Sequence, residues 1–458
     1  MKNIVLALLS TFIVVNGYSQ SVETAFFSLT QVGGHDSKIR SKSVSEIVTV
    51  SFSYEYNSEV FTFIKNADTM VCATVPSGYI INDFFVLDSC IFFCGKNVLN
   101  NCGYIGIFDV VVADLNIGGY KIWNIAETDE LTEVVAYKVS DIFPIYGSLA
   151  VAKNQNLSYK TSVINLNNYF YDDYNYWKCG IGYEIDDYLT DVELVSNGAS
   201  SELITIGQSF VLNSNQNNSV EGYTPKMYMR KFEKDAVFMS SLEDTLYTYT
   251  GIRMSLISPF KVTNLNNNNI AVTTVTSKSK LHQIISNEGI EIKMINLNNL
   301  MINGLQFVDN TSGTLKEVTY LTNPNKLVLL KESITNIDEI FFADLSKIED
   351  YTSSKVYRNK TSFNSLFCYD NVHFLATGLE ENTTRESLSL LQMGINNIST
   401  NECVFKESIK ISTESKSISP ANPRDPIPAF NSTIEFEVGF PFVYETDVNL
   451  KCLNYCEL

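Results

Sequence analysis

Residues 83–110 read DFFVLDSCIFFCGKNVLNNCGYIGIFDV. Three short runs stand in this stretch: Phe84–Leu87, Cys90–Cys94 and Tyr104–Val110. The pair Asp88-Ser89 parts the first two, and the polar loop Gly95–Asn101 parts the last two. Aromatic and β-branched side chains fit a pleated, half-buried surface, while Gly, Asn and Asp supply the turns. The stretch therefore reads as antiparallel strands joined by hairpins.

Working outward, the same rhythm returns in both directions. Upstream lie Ile47–Tyr54, Val60–Ile64 and Met70–Val75. Downstream come Val134–Val139, Leu149–Ala152 and Thr161–Leu166, then Val192–Val195, Leu203–Ile206 and Met227–Phe232. Three further sets begin at Val262, Val318 and Leu366. The repeat is one of shape: no Trp-Asp or Gly-Gly pair recurs in register. Seven such units predict an all-β chain, a seven-bladed β-propeller in one domain, with tandem β-sandwich domains as the alternative. Asn299–Phe307 and Leu345–Tyr351 read as isolated helical turns. Gln20–Lys42 reads as irregular. Pro420, Pro423, Pro426 and Pro428 make 420–428 an extended connection. Beyond it, Thr433–Tyr444 alternates as a strand expected to close the ring beside Ile47–Tyr54.

The pattern DFFVLDSCIFFCG…GYIGIFD resembles that of uncharacterised secreted bacterial proteins with propeller-like β repeats. The resemblance covers this one unit, and the others by rhythm. It implies the fold and an exported location, and brings no catalytic residue with it.

The totals narrow the function classes. The chain has 458 residues, 45% of them hydrophobic and 12% aromatic, ample for a packed core. Its formal charge of −18 suits it poorly to phosphate backbones, so nucleic acid is not an expected partner. At the start, Lys2 precedes the apolar run Ile4–Val15, and Gly17 and Ser19 are small residues ahead of Gln20. That is the grammar of a signal peptide over 1–19, which makes the mature chain, 20–458, secreted, periplasmic or held at the cell surface. No later stretch reads as a transmembrane segment.

Nine cysteines make an odd number, so at least one thiol stays without a partner in the chain. Cys94 and Cys102 flank a loop and are the candidates for a disulfide. Cys90, Cys94 and Cys368 equally fit as small apolar core residues. The three histidines, His35, His282 and His373, stand far apart, and none has a second ligand at metal-binding spacing. No G-x-S-x-G, H-E-x-x-H, P-loop or calcium loop occurs, so no catalytic residue, metal or cofactor is assigned.

The candidate ligand site lies in Tyr169–Tyr188, YFYDDYNYWKCGIGYEIDDY. Flat rings stack on sugars or peptide side chains, and carboxylates accept their hydrogen bonds. Trp177, Tyr174 and Tyr176 are the expected stacking residues, with Asp172 and Asp173 as acceptors. The competing reading makes these rings part of the packing between blades. The expected function is noncatalytic binding of a glycan or an extracellular protein. An extracellular glycoside hydrolase using acids in the propeller funnel, and a structural component of a surface assembly, are the alternatives. Protein exported by the native host should begin at Gln20 on N-terminal sequencing; a retained Met1 would overturn the signal peptide.

Overall fold

In the computed structural model the described residues run from 25 to 446. Outside them fall 30–36, 155–160, 168–174, 181–187, 213–222, 234–240, 248–252, 333–337, 346–351, 381–386, 395–403, 410–433 and connections of four residues or fewer. In several strands only the backbone is described. The signal-peptide stretch 1–19 and the proline-rich connection 420–428 thus lie outside the described residues.

The chain is all-β. Every regular element among the described residues is a strand, and every pairing is antiparallel. Seven sheets form, numbered I to VII in chain order. Sheet I holds Lys38–Ser43, Glu46–Ser53, Ser58–Lys65 and Thr69–Thr74, and sheet II holds Tyr79–Leu87, Cys90–Asn97, Cys102–Val111 and Asn116–Ile125. Sheet III holds Thr128–Ser140, Ile145–Asn154, Thr161–Asn167 and Asn175–Gly180, and sheet IV holds Tyr188–Asn197, Ser200–Leu212, Tyr223–Glu233 and Ser241–Tyr247. In sheet V, Arg253–Leu256 and Lys261–Asn264 both pair with Asn269–Lys280, followed by Gln283–Asn296 and Met301–Asp309. Sheet VI holds Thr314–Leu321, Lys326–Glu332, Asp338–Asp344 and Thr352–Arg358; sheet VII holds Ser362–Cys368, His373–Glu380 and Ser387–Gly394.

Each sheet is a meander, in which connections of two to ten residues join strands that pair with their neighbours in sequence, most of them turns of two to four. Asn57, Asp88, Asn101, Asn268 and Asn325 take positive φ at such turns, a conformation Asn and Asp tolerate better than other side chains. The first strands then lie side by side in chain order. With Lys261–Asn264 in this place in sheet V, that of I touches that of II, II touches III, and so on to VII, whose first strand touches that of I again.

Between neighbouring sheets sit apolar layers. Val48, Val50, Phe61 and Phe63 of sheet I pack on Phe84, Phe93, Tyr104 and Phe108 of sheet II. Phe92, Ile105, Ile107 and Trp123 of II pack on Leu131, Val134, Ala136 and Ile164 of III. Similar layers join IV to V, V to VI, VI to VII and VII to I. Rings cross edge-on in the first layer: Phe61 lies 5.6, 5.5 and 5.3 Å from Phe84, Phe93 and Phe108.

Three expectations change. Gln20–Lys42 is not all irregular: Ala25–Leu29 pairs with Ser387–Gly394 and gives sheet VII its fourth strand. A five-residue strand has no stable existence alone, and its partner lies hundreds of residues downstream, so local sequence carries little sign of it. Met301–Asp309 is a strand, not a helical turn, held by its pairing with Gln283–Asn296. The late strand divides in two. Ile434–Gly439 pairs with Asn116–Ile125 at the edge of sheet II, and Val443–Thr446 pairs with Thr69–Thr74 at the edge of sheet I. It therefore reaches the first unit as expected, but at the edge opposite the first strand. Val404–Ile409 adds similarly to sheet VI.

Phe61→Ala should destabilise the protein by about 3–5 kcal/mol, read as a lower urea midpoint. Phe440→Ala, at a residue 84% exposed, should change it by no more than about 0.5 kcal/mol. Equal effects would refute the assignment of the I–II layer as core.

Candidate functional site

The first strands share a device that their pairings expose. In sheets II, III, IV, VI and VII the register slips at a corresponding step of the first strand: between Ile81 and Asp83, Leu131 and Glu133, Leu189 and Asp191, Leu315 and Glu317, Phe363 and Ser365. Each slip is a β-bulge, in which an extra residue twists the strand and re-aims its neighbours. The five sequences are Ile81-Asn82-Asp83-Phe84, Leu131-Thr132-Glu133-Val134, Leu189-Thr190-Asp191-Val192, Leu315-Lys316-Glu317-Val318 and Phe363-Asn364-Ser365-Leu366. An apolar residue, a bulged polar one, an oxygen-bearing one and a second apolar one recur. Sheets I and V place Lys38-Ile39 and Lys261-Val262 at the equivalent step. The last apolar residue is buried in all seven: Ile39, Phe84, Val134, Val192, Val262, Val318 and Leu366.

In sheets II, IV and VII the residue before it reaches the next sheet. The Val134 amide donates to Asp83 Oδ2 at 3.0 Å, the Val262 amide to Asp191 Oδ2 at 2.7 Å and the Ile39 amide to Ser365 Oγ at 3.3 Å. The bulged residue reaches across as well. Asn82 Nδ2 donates to the Leu131 carbonyl at 2.7 Å, and Lys316 Nζ to the Phe363 carbonyl at 3.0 Å. A first strand is an edge whose inward amides and carbonyls lack a strand partner, and these side chains satisfy some of them.

Charge is concentrated at the same level. Arg40 Nη2 lies 2.8 Å from Asp83 Oδ1, and Lys261 Nζ lies 2.7 Å from Glu133 Oε1, a pairing of sheet V with sheet III. The Arg40 guanidinium also stands 5.7 Å from the centre of the Phe84 ring and 5.9 Å from that of Phe367. Acids outnumber bases: Asp83, Glu133, Asp191, Glu193 and Glu317 against Lys38, Arg40 and Lys261. Burial pushes the Asp83 carboxyl up to about 7 despite Arg40 and Lys38, with Glu133 adding to the rise. Burial also pushes Glu193 up to about 8; its Oε1 accepts the Leu194 amide, and Glu317 and Asp83 repel its charged form while Arg40 favours it. Asp191 is likewise raised well above the usual carboxylate range by burial, against the pull of Lys261. Glu133 goes the other way: burial is outweighed by Lys261, Lys38 and Arg40, which hold it below the usual carboxylate range. The arrangement can store protons and lock sheets to one another.

Of the residues singled out from sequence, two aromatic ones lie elsewhere. Tyr176 and Trp177 stand on Asn175–Gly180, opposite Leu166 and Asn165, on the strand of sheet III farthest from the first strands. Asp172, Asp173 and Tyr174 lie outside the described residues. Cys94 and Cys102 are both free, buried thiols: Cys94 stands opposite Ile105, and Cys102 opposite Asn97, so the hairpin register holds them apart. Cys90 and Cys94 pack in the II–III layer and Cys368 against the VI–VII layer, and burial drives the Cys90 and Cys368 thiols up to about 12. His373 opens a strand with its amide and Nδ1 both 2.6 Å from Asp370, a turn cap. Among the described residues no group of three or more His, Cys, Asp or Glu side chains could hold a metal ion, and no helix is long and apolar enough to cross a membrane. No protein-family model and no curated protein sequence matches this chain.

The raised carboxyls set a pH dependence. Between pH about 4 and the folded values of Asp83 and Glu193, the native state keeps protons that the unfolded chain has released, so stability falls as pH rises through that window. Glu193→Gln keeps an oxygen for the Leu194 amide and removes the charge. It should raise the Tm by about 2–4 °C at pH 9 and leave it nearly unchanged at pH 5. Equal shifts at both pH values would dissociate Glu193 from the effect.

Proposed function

We propose that this chain is an exported seven-bladed β-propeller that works as a noncatalytic binding protein, meeting a glycan or protein ligand outside the cell. Seven meander sheets, first strands in a closed series and a seventh sheet completed by the N-terminal strand Ala25–Leu29 support the propeller over tandem sandwiches. Sandwich domains in tandem would not bring Arg40 of sheet I into the fields of Glu133, Glu193 and Glu317, from sheets III, IV and VI. The signal-peptide pattern at 1–19 supports export.

One observation carries the binding reading. On a chain of charge −18, Phe436, Val438, Phe440, Phe442 and Val443 stand exposed within eight residues. Apolar side chains gathered in this way mark interaction surfaces on soluble proteins. The inner acids support it indirectly, because Asp83, Glu133 and Asp191 are engaged in joining sheets.

The hydrolase reading keeps one specific support. Glu193 holds its proton near neutral pH beside Glu317, and a protonated acid near a second carboxyl is what glycoside cleavage requires. The two readings part in one experiment. The protein is tested for saturable binding against a panel of polysaccharides and extracellular proteins, and for reducing-sugar release from the same polysaccharides. Binding without turnover is expected. Turnover that Glu193→Gln abolishes would replace the binding reading with the hydrolase.

A further inference from the structure

Among the described residues eight large apolar side chains are exposed, and five of them belong to 436–443. This segment links two edge strands. Ile434–Gly439 ends the strand order of sheet II, and Val443–Thr446 ends that of sheet I, so among the described residues each is paired on one side only. The segment is anchored rather than loose. The Thr74 amide donates to the Phe442 carbonyl at 3.0 Å. Asn97, Asn124 and Tyr79 form a hydrogen-bonded chain whose last link is Tyr79 Oη donating to Glu437 Oε2 at 2.8 Å. The patch continues across the gap between the sheets: the Tyr56 ring lies 5.6 Å from Phe442 and 4.8 Å from Tyr444, and Val75, Pro76 and Phe442 line one open depression.

The chemistry of the edge selects its occupant. An unpaired strand edge offers alternating amides and carbonyls, which only another extended backbone can match over several residues. The side chains alternate too. Ile434, Phe436 and Val438 share one face, with Phe436 5.2 Å from the Trp123 ring, while Glu435 and Glu437 share the other. A strand laid alongside meets carboxylates on one face and apolar groups on the other. A second copy of this chain fits badly, since antiparallel self-pairing about Phe436 sets Glu435 opposite Glu437, and like charges directly opposed are destabilising.

We propose that the open edge of Ile434–Gly439 receives, by strand addition, an extended segment of a partner protein in which Lys or Arg alternates with apolar residues. The proposal rests on the binding reading and names the partner's chemistry. Basic side chains meet Glu435 and Glu437, the apolar ones continue the Phe436–Val438 face, and Phe440 receives the end of the incoming strand.

The test uses the full chain and three dye-labelled eight-residue peptides: alternating Lys and Val, alternating Glu and Val, and four Lys followed by four Val. Fluorescence anisotropy should show the alternating Lys–Val peptide binding about tenfold or more tighter than the block peptide, a difference of about 1.4 kcal/mol. Glu435→Lys, at an exposed position, should leave the Tm unchanged, weaken that peptide about tenfold and improve the Glu–Val peptide. Equal affinity for the alternating and block peptides would show charge attraction alone and overturn strand addition, as would indifference to Glu435→Lys. A concentration-dependent dimer in sedimentation that Phe440→Ser makes monomeric would mean that a second copy covers the edge, which also overturns the proposal. If the Lys–Val peptide fails while a polysaccharide or protein of the panel still binds, the strand-addition site falls and the binding reading stands.

Discussion

A carboxylate taken out of water and aimed at the backbone of the next sheet is the constraint on which the ring of first strands depends. An isolated sheet can leave its edge strand wet. Seven sheets with their first edges side by side cannot, because those edges face one another. The β-bulge solves this locally: one extra residue turns Asp83 or Asp191 out of the pleat and onto the amide of Val134 or Val262. Burial alone would make such an acid expensive to ionise. Of the three sheets without an acid at this step, two supply the relief, since sheet I offers Lys38 and Arg40, and sheet V offers Lys261. Lys261 reaches Glu133 two sheets away, so the charge balance is a property of the ring and not of any neighbouring pair.

The layers between sheets are unequal, and the inequality follows chain order. Sheets I and II meet through crossed aromatic rings. On the opposite face of sheet I, alternation places Thr49, Ser51 and Ser53 where Val48 and Val50 face sheet II. Those three hydroxyls and that of Ser58 are buried without a hydrogen-bond partner among the described residues. Among the described residues the apolar layer from I to VII carries no crossed rings, with Ile39, Ile47, Val60 and Ile64 packed on Leu375, and the hydrogen bonds that cross it are small: Ser37 Oγ with Thr377 Oγ1 at 3.4 Å, and the Ile39 amide with Ser365 Oγ. Buried hydroxyls without partners destabilise by about 1–3 kcal/mol each. Local opening should therefore favour the junction between the two ends of the chain over the aromatic one. The strand Ala25–Leu29 lies across this junction in sequence, leaving sheet VII to begin sheet I, and it ties the ends covalently as well as by pairing.

The sequence made the strands legible and left the contacts between first strands hidden. Ile47–Tyr54, Val60–Ile64 and Met70–Val75 match Glu46–Ser53, Ser58–Lys65 and Thr69–Thr74 closely, because each is a short apolar or β-branched run between two turn signals. The bulge is what hid the site. An extra residue breaks the period of two, so Glu133 and Asp191 look like polar interruptions between apolar runs and not like the aimed part of a strand. The signal was nevertheless there: Leu-Thr-Glu-Val at 131, Leu-Thr-Asp-Val at 189 and Leu-Lys-Glu-Val at 315 are one phrase repeated. A search for identity across whole units dilutes four residues in more than forty. The pairing of Lys261 with Glu133 has no local signal at all, since 128 residues separate the partners.

The distribution of polarity then bears on where recognition takes place. In most soluble domains charge covers the outside and apolar groups fill the centre. Here the inner strands gather eight ionisable side chains, six of which bond to one another or to backbone, while the far edges of sheets I and II carry Phe436, Phe440 and Phe442 in contact with water. Charges already committed to ion pairs and amides have little left to offer a ligand, because a newcomer must first break the contacts that hold neighbouring sheets together. The aromatic edge has no such prior obligation, since its rings lose only water when covered. The same acid surplus that burdens the centre, repeated outside at Glu435 and Glu437, turns that edge from a general hydrophobic surface into one that discriminates by charge.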